Sequence, residues 1–422
     1  MIRNKIGIIG LGYVGLPLAI AFSKKNDVIG FDSKKMRIRE LKSGKDITNE
    51  TTRHDILKSK VLFSSNINDL CNCKYFIIAV PTPVNKMKRP DLSAVISATR
   101  MVSQLIKKND IIVYESTVYP GVTEEICVPI IEKISKLKFN SEFFCGYSPE
   151  RINPSDKKHK LHNITKIVSG SNSKTANKLD KLYSQIIKAG IHKAPSIKIA
   201  EAAKVVENIQ RDLNISLINE LSIIFNKLEI DTEEVLNAAS TKWNFMKFSP
   251  GLVGGHCIGV DPYYLIHKAS KIGINSKVIA AGRKINSSMP SHVVNQLMMM
   301  FKKKNLKFLN SKILILGFTF KENCSDTRHT QVYEIYKLLS KKGTRTDIYD
   351  PVADLLDTKK EYGVSIINKK IKQNYYDAVI LAVAHNQFRK LGIKKIRRYC
   401  RNNSIIYDLK HIFKKNDVDL RL

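Results

Sequence analysis

Apolar positions along this chain follow two rhythms. Lys5-Ile-Gly-Ile-Ile9 is a short, nearly unbroken apolar run of the kind that fills the middle of a parallel sheet, and an apolar helix follows from Gly15 to Phe22. The strand pattern returns at Val28–Asp32, Tyr75–Val80, Ile111–Glu115, from Phe143, and at Lys166–Gly170, with helical stretches near 92–107 and 174–189. This alternation predicts a doubly wound α/β domain over residues 1–196. There it stops. Ile199, Ala203, Val206, Ile209, Leu213, Leu217, Leu221 and Ile224 recur at steps of three and four, predicting a single helix of about 45 Å from Ile197 to Leu228. Further helices to about residue 304 complete an all-α middle domain, 197–304. From Ser311 the order of strand, glycine turn and helix begins again, with a helix near 331–342 and strands at Thr346–Asp350 and Ala378–Val383. The expected fold class is α/β: two doubly wound, Rossmann-like domains (1–196 and 305–422) joined by a long helix within an all-α middle domain.

Where strand gives way to helix, the glycines carry information. Gly10-Leu-Gly12-Tyr13-Val14-Gly15 sits between the first strand and its helix, the setting in which such a loop binds a dinucleotide. The first glycine makes the turn, the second admits a pyrophosphate to the helix N-terminus, and the third lets helix pack on strand. Asp32, at the end of the second strand, would accept from the ribose hydroxyls and repel a 2′-phosphate, favouring NAD. The basic residues Lys34, Lys35 and Arg37 stand close by and leave NADP open; Arg37, Tyr13 and Val14 are taken with the glycines as cofactor contacts. Thr82 and Thr117, in loops at strand carboxyl ends, are either cofactor contacts or turn caps.

Composition narrows the function classes. The 422 residues suit two or three domains, and the net charge of +33 is provocative. Its lysines are spread along the whole length without interleaved aromatics, so the charge is read as attracting a polyanionic small substrate and not a nucleic acid. No stretch of eighteen apolar residues appears and the N-terminus runs straight into a strand, so no membrane partner and a cytoplasmic location are expected. The seven cysteines show no disulfide or zinc spacing, and no metal is expected.

One cysteine stands apart. Pro250-Gly-Leu-Val-Gly-Gly-His-Cys257-Ile-Gly-Val-Asp261 places a thiol in a glycine-lined turn four residues before an aspartate. Cys257 is a structural thiol or a nucleophile, with Asp261 as base or orienting group. On the long helix Lys204, Asn208 and Arg211 share one stripe, either a solvated edge or a row of donors aimed at an oxyanion or phosphate. Glu150 and Arg151 end a strand as a solvated charge pair or as part of a cleft.

Together, Gly10–Gly15, Tyr147-Ser-Pro-Glu-Arg-Ile-Asn-Pro154, Glu201-Ala-Ala-Lys-Val-Val-Glu-Asn208, Gly254-Gly-His-Cys-Ile258 with Asp261, and Gly317-Phe-Thr-Phe-Lys321 with Asp326 and Arg328 resemble the UDP-glucose/GDP-mannose dehydrogenase family over essentially the whole chain. Gln210–Ile215, Lys242–Phe245 and Asn323-Cys324 are most similar to its UDP-N-acetylhexosamine 6-dehydrogenases, such as those of Vi capsular polysaccharide synthesis. The resemblance implies oxidation of a sugar C6 alcohol to the carboxylate with two NAD+ used in turn at one site, on UDP-N-acetylglucosamine or UDP-N-acetylgalactosamine, with UDP-glucose and UDP-N-acetylmannosamine as alternatives. It implies Cys257 as nucleophile, Lys204 and Asn208 as oxyanion donors, Lys204 or Asp261 as proton managers, and Glu150 as the residue positioning the hydrolytic water. Glu150, Arg151, Arg211, Phe248, Gly251, Gly254, Gly255 and Lys321 would meet the substrate, with UDP on the C-terminal domain, and Arg328 the cofactor. A homodimer through the long helix is expected. Ser155 and Ser249 depart from the pattern, where glycine and arginine are expected; the second removes a cation near the substrate. The competing readings are a two-electron β-hydroxyacid-type dehydrogenase, which needs no thiol, and a non-catalytic nucleotide- or nucleic-acid-binding protein.

Overall fold

The computed structural model describes residues 4–48, 50–85, 87–152, 159–367 and 370–422. Ser155, one of the two departures, lies outside the described residues, as do Asn153 and Pro154. The chain divides into two compact units, 1–207 with 263–274, and 208–262 with 275–422.

The first unit is built on eight strands: β1 Lys5–Ile9, β2 Asp27–Phe31, β3 Val61–Ser64, β4 Tyr75–Ile78, β5 Ile111–Tyr114, β6 Phe144–Tyr147, β7 Lys166–Gly170 and β8 Ile191–Lys193. Their order is β3-β2-β1-β4-β5-β6-β7-β8, with the reversal between β1 and β4 that defines a doubly wound sheet. The short apolar runs form these strands because both faces are covered: Ile6, Ile8, Ile77 and Val113 pack in one core with Leu16 and Phe22 of the helix Gly15–Ser23. Two features differ from the expected alternation. β6 and β7 pair antiparallel, and β8 extends the sheet with a three-residue strand too short and too polar to show a period.

The second unit carries β9 Lys312–Leu316, β10 Arg345–Tyr349, β11 Tyr376–Leu381, β12 Cys400–Asp408 and β13 Leu420–Arg421, all parallel, in the order β10-β9-β11-β12-β13. Alternate residues of β9 feed opposite cores. Ile313 and Ile315 meet Val293 and Leu297 of the helix Lys277–Lys303, whereas Leu314 and Leu316 meet Phe388 and Ile396.

The helix Ile197–Lys227 spans the predicted length, with its first turns in the first unit and the remainder in the second. Its burial follows the expected apolar stripe only in part: Ile209 is buried, but other positions of the stripe are not. Glu201, Asp212, Asn219 and Ser222 are fully buried, whereas Ile199, Val206, Leu217 and Ile224 are exposed, Ile224 the least of them at 46%. Periodicity finds an amphipathic helix but does not say which face the chain itself covers; here the buried positions mix apolar residues such as Val205, Ile209 and Ile218 with hydrogen-bonded polar ones. Among the described residues no helix is long and apolar enough to cross a membrane.

Candidate active site

In the first unit the glycine loop is shaped as its spacing predicts. Gly10 adopts φ +94°, and a Cβ there would stand 2.8 Å from the Ala79 carbonyl oxygen. A Cβ on Gly15 would lie only 1.8 Å from the Gly10 oxygen, whereas one on Gly12 would meet nothing within 4 Å. The loop is therefore closed on its protein side and open at Gly12, and the helix starting at Gly15 has neither a side-chain cap nor an acid in its first turn. Such a bare N-terminus fits a pyrophosphate. Tyr13 is half-buried and Val14 occupies the N-cap. Asp32 accepts from the Leu11 and Lys34 amides at 3.1 and 2.9 Å and stays partly exposed, as a ribose ligand must. These residues fit NAD, which when bound supplies the hydride acceptor. Arg37 is committed elsewhere: buried, it donates to the Leu11 carbonyl at 3.0 and 2.8 Å and to Asp46 at 2.8 Å, bracing the loop. Thr82 Oγ1 donates to the Thr117 carbonyl at 2.7 Å, so the two loops at the ends of β4 and β5 are tied together.

Glu150 and Arg151 do not pair with each other. The Glu150 Oε1 accepts from the Arg151 and Ile152 amides, both at 2.7 Å, and its Oε2 accepts from Lys166 Nζ at 3.2 Å. Arg151 instead reaches Glu207 at 2.9 Å and the Thr165 carbonyl at 2.8 Å. Lys204 is buried one turn beyond Glu201, whose carboxylate accepts from the Gly121 and Thr123 amides and the Thr123 hydroxyl. Burial still pushes Glu201 up to about 7.

The second unit holds the thiol. Among the described residues Cys257 is the only exposed cysteine of the seven. Its carbonyl accepts the Val260 and Asp261 amides at 3.0 and 2.8 Å, a tight turn that leads into the helix Asp261–Lys271. Asp261 is buried, and its Oδ2 accepts from Asn208 Nδ2, so these two predicted residues are joined directly. The glycines around the thiol are needed for space. A Cβ on Gly254 would lie 2.7 Å from the His329 carbonyl oxygen, and Gly255 adopts φ +82° with the Phe320 ring 2.7 Å from where its Cβ would be. Arg328 is held by Asp326 at 2.9 and 2.6 Å. Phe248 and Lys321 are half-buried; Arg211 and Ser249 are exposed.

Three residues here escaped the sequence reading. Asn219 is fully buried and grips Gly251 at both ends: its Oδ1 accepts the Gly251 amide at 2.8 Å and its Nδ2 donates to the Gly251 carbonyl at 3.0 Å. Behind it Asn286 accepts from Asn219 and donates to Asp212, which pairs with Arg283 at 2.6 Å. A mid-helix asparagine gives no sign in sequence that it will serve a loop thirty residues on. Lys410 places its ammonium 3.2 Å from where a Gly251 Cβ would stand. Its pKa is lowered by burial, against the opposing pull of Glu322 and Asp408. His256, next to the thiol, has a buried Nε2 with no hydrogen-bond partner and packs edge-on to His329 at 4.8 Å. Burial, with Arg328 and His329, pushes it down to about 4, so it is neutral at physiological pH. Its signal was the motif itself, Gly-Gly-His-Cys.

The turn after β10 in the second sheet differs from the glycine loop of the first. Asp350, just past β10, stands where Asp32 stands past β2, but it is buried. Its carboxylate accepts from the amides of Phe318, Thr319, Val352 and Ala353 and from His385 Nε2 at 3.0 Å. Burial opposes its ionisation, yet His385 and these amides hold its pKa below the usual carboxylate range. His385 Nδ1 accepts the Asn323 amide at 2.9 Å, which fixes the proton on Nε2. The donors that could cradle a phosphate at this turn are already satisfied.

The open glycine loop with its acid marks the first unit as that of an NAD-dependent dehydrogenase, and the second unit carries an exposed thiol and an Asn–Asp pair. Residues 4–187, 198–288 and 314–415 match the NAD binding, central and UDP binding domains of the UDP-glucose/GDP-mannose dehydrogenase family, and the chain belongs to that family. It is similar to the UDP-N-acetyl-D-glucosamine 6-dehydrogenases of Salmonella typhi, 52% identical over 99% of this chain and 98% of the relative, and of Pseudomonas aeruginosa, 50% identical over 99% of each. Among solved structures, a UDP-D-ManNAc dehydrogenase from Pyrococcus horikoshii superposes with a TM-score of 0.89 at 29% identity, covering 99% of this chain and 98% of that one.

Proposed function

We propose that this enzyme oxidises the C6 alcohol of a UDP-N-acetylhexosamine, UDP-N-acetylglucosamine before UDP-N-acetylgalactosamine, to the uronic acid for surface polysaccharide synthesis. The observation that carries the reading is the exposed Cys257 on its glycine-lined turn, in a chain half identical to enzymes of that name. The overall conversion takes one alcohol, one water and two NAD+ to one carboxylate, two NADH and three protons. Lys204 and Asn208 stabilise the alkoxide, and Lys204 or Asp261 passes its proton to solvent. The Cys257 thiolate adds to the aldehyde carbon, and loss of the second hydride from that adduct leaves a thioester. Water directed by Glu150 then cleaves the C–S bond. Gly251, Gly254, Gly255, Phe248, Arg211, Arg151, Lys321 and Lys410 are the substrate contacts, and Arg328 serves the cofactor. Supplying UDP-N-acetylglucosamine, UDP-N-acetylgalactosamine, UDP-glucose and UDP-N-acetylmannosamine in parallel tests the substrate. The expected result is two NADH per uronate, fastest with the first sugar; one NADH per sugar, or preference for UDP-glucose, would overturn it.

The same reading makes the enzyme a homodimer through the long helix. Ile199, Val206, Leu217 and Ile224 are spaced by seven, eleven and seven residues, each step returning to within about 20° of the same helix face. This exposed apolar stripe can pair with itself about a twofold axis. A Leu217→Glu, Ile224→Glu double variant should sediment as a monomer where the parent protein sediments as a dimer. An unchanged mass would remove the helix from the interface.

A further inference from the structure

A buried charge cluster in the first unit joins Glu150 to Lys166 and Glu115, two groups without a role in the reaction so far. Lys166 opens β7 with its side chain 3% exposed, and its Nζ lies 2.7 Å from Glu115 Oε2 and 3.2 Å from Glu150 Oε2. Glu115, fully buried just past the end of β5, also accepts the Tyr183 hydroxyl, and the Lys166 ammonium lies 5.7 Å from the centre of the Tyr183 ring. The cluster is dry except at one end: the Glu150 side chain alone keeps 11% exposure. As ballast this arrangement makes little sense, because a buried ion pair is often no more stabilising than apolar residues of the same volume. Its geometry does something apolar residues cannot. Lys166 fixes one Glu150 oxygen, the Arg151 and Ile152 amides fix the other, and the carboxylate has one orientation. Burial works against a charged Lys166, but Glu115 and Glu150 outweigh it and raise its pKa. Among the described residues the charged groups facing Glu150 are Lys166 from β7 and Glu115 from the end of β5, with the Tyr183 phenol beyond. Arg151, its neighbour in sequence, is taken up by Glu207.

We propose that Lys166, fixed in place by Glu115 and Tyr183, is a positioning residue for the hydrolytic half of the reaction, holding Glu150 as an oriented carboxylate that receives a proton from the water attacking the Cys257 thioester. The inference rests on the roles given above to Cys257 and Glu150. In this step the water oxygen bonds to the carbonyl carbon and the C–S bond breaks. Cys257 leaves as thiolate, one water proton passes through Glu150 to solvent and the second leaves the new carboxylic acid for solvent; no electrons are exchanged. Without Lys166, the Glu115 and Glu150 carboxylates face each other with no cation between them, and their like charges repel, which favours a proton shared in the cluster.

The test separates oxidation from hydrolysis. In Lys166→Met, rapid mixing with NAD and sugar should still give a burst of two NADH per enzyme, while steady-state turnover at neutral pH falls on the order of 10²-fold. Intact mass should show the acyl adduct on Cys257. The steady-state rate should recover as pH rises, and Lys166→Arg should restore it at neutral pH. Burst and steady state falling together, or a pH profile that does not move, would overturn the proposal. Should Lys166→Met fail to fold, Tyr183→Phe decides: it removes one hydroxyl and should give a smaller deficit confined to the steady state, and a wild-type ratio of burst to steady state would count against the idea. Uronate production by Cys257→Ser would instead remove the thioester reading itself, a distinct result.

Discussion

Cys257→Ser is expected to lower uronate formation on the order of 10³-fold or more, the scale seen when a covalent nucleophile is removed, with NAD affinity unchanged. Five of the other six cysteines are buried, and burial pushes Cys73 up to about 12 and Cys127 and Cys400 up to about 11, so these three present no thiolate at neutral pH. A serine hydroxyl in the same turn is a far weaker nucleophile toward an aldehyde than a thiolate. The measurement is uronate by chromatography beside NADH by absorbance. Oxidation stopping at one NADH per sugar would still fit; a serine variant making uronate at the parent rate would end the four-electron mechanism.

Gly15→Ala should weaken NAD binding by at least about 100-fold, the scale set by strain of several kcal/mol in a packed turn. The new methyl would sit 1.8 Å from the Gly10 carbonyl oxygen, a backbone atom that cannot swing aside, and 3.3 Å from Ile8 Cγ2. Either the helix start or the loop must move, and both carry the pyrophosphate donors. Saturating NAD should raise the melting temperature of the parent protein by ligand linkage and leave the variant unmoved. An equal shift in both proteins would show that the loop tolerates the methyl group and that the cradle lies elsewhere.

Much of the architecture was legible because apolar runs of four or five residues punctuated by glycine have few other uses. The loop at Gly10 to Gly15 and the thiol turn belong to that category, since their chemistry is local. What stayed hidden depends on partners distant in sequence. The long helix shows its period plainly, yet only the fold reveals that Glu201 and Asn219 point inward while Leu217 points outward. Glu150 and Arg151 look like a pair, yet each takes a partner from another element, Lys166 and Glu207. β8 is too short and polar to announce itself. Lys410 is one lysine among many in a strongly basic chain, and only its approach to Gly251 sets it apart.

The self-satisfied turn at Asp350 has a further meaning for the order of events. On the proposed four-electron reading, with the amides of this turn and His385 already engaged, the Gly10–Gly15 loop is the dinucleotide cradle among the described residues, and the spent cofactor has to be exchanged midway through each cycle. An aldehyde left loose during that exchange would diffuse away or react with a surface lysine, of which this basic protein has many. On that reading Cys257 would also be a mooring: it would keep a half-oxidised sugar attached to the enzyme for as long as the exchange takes.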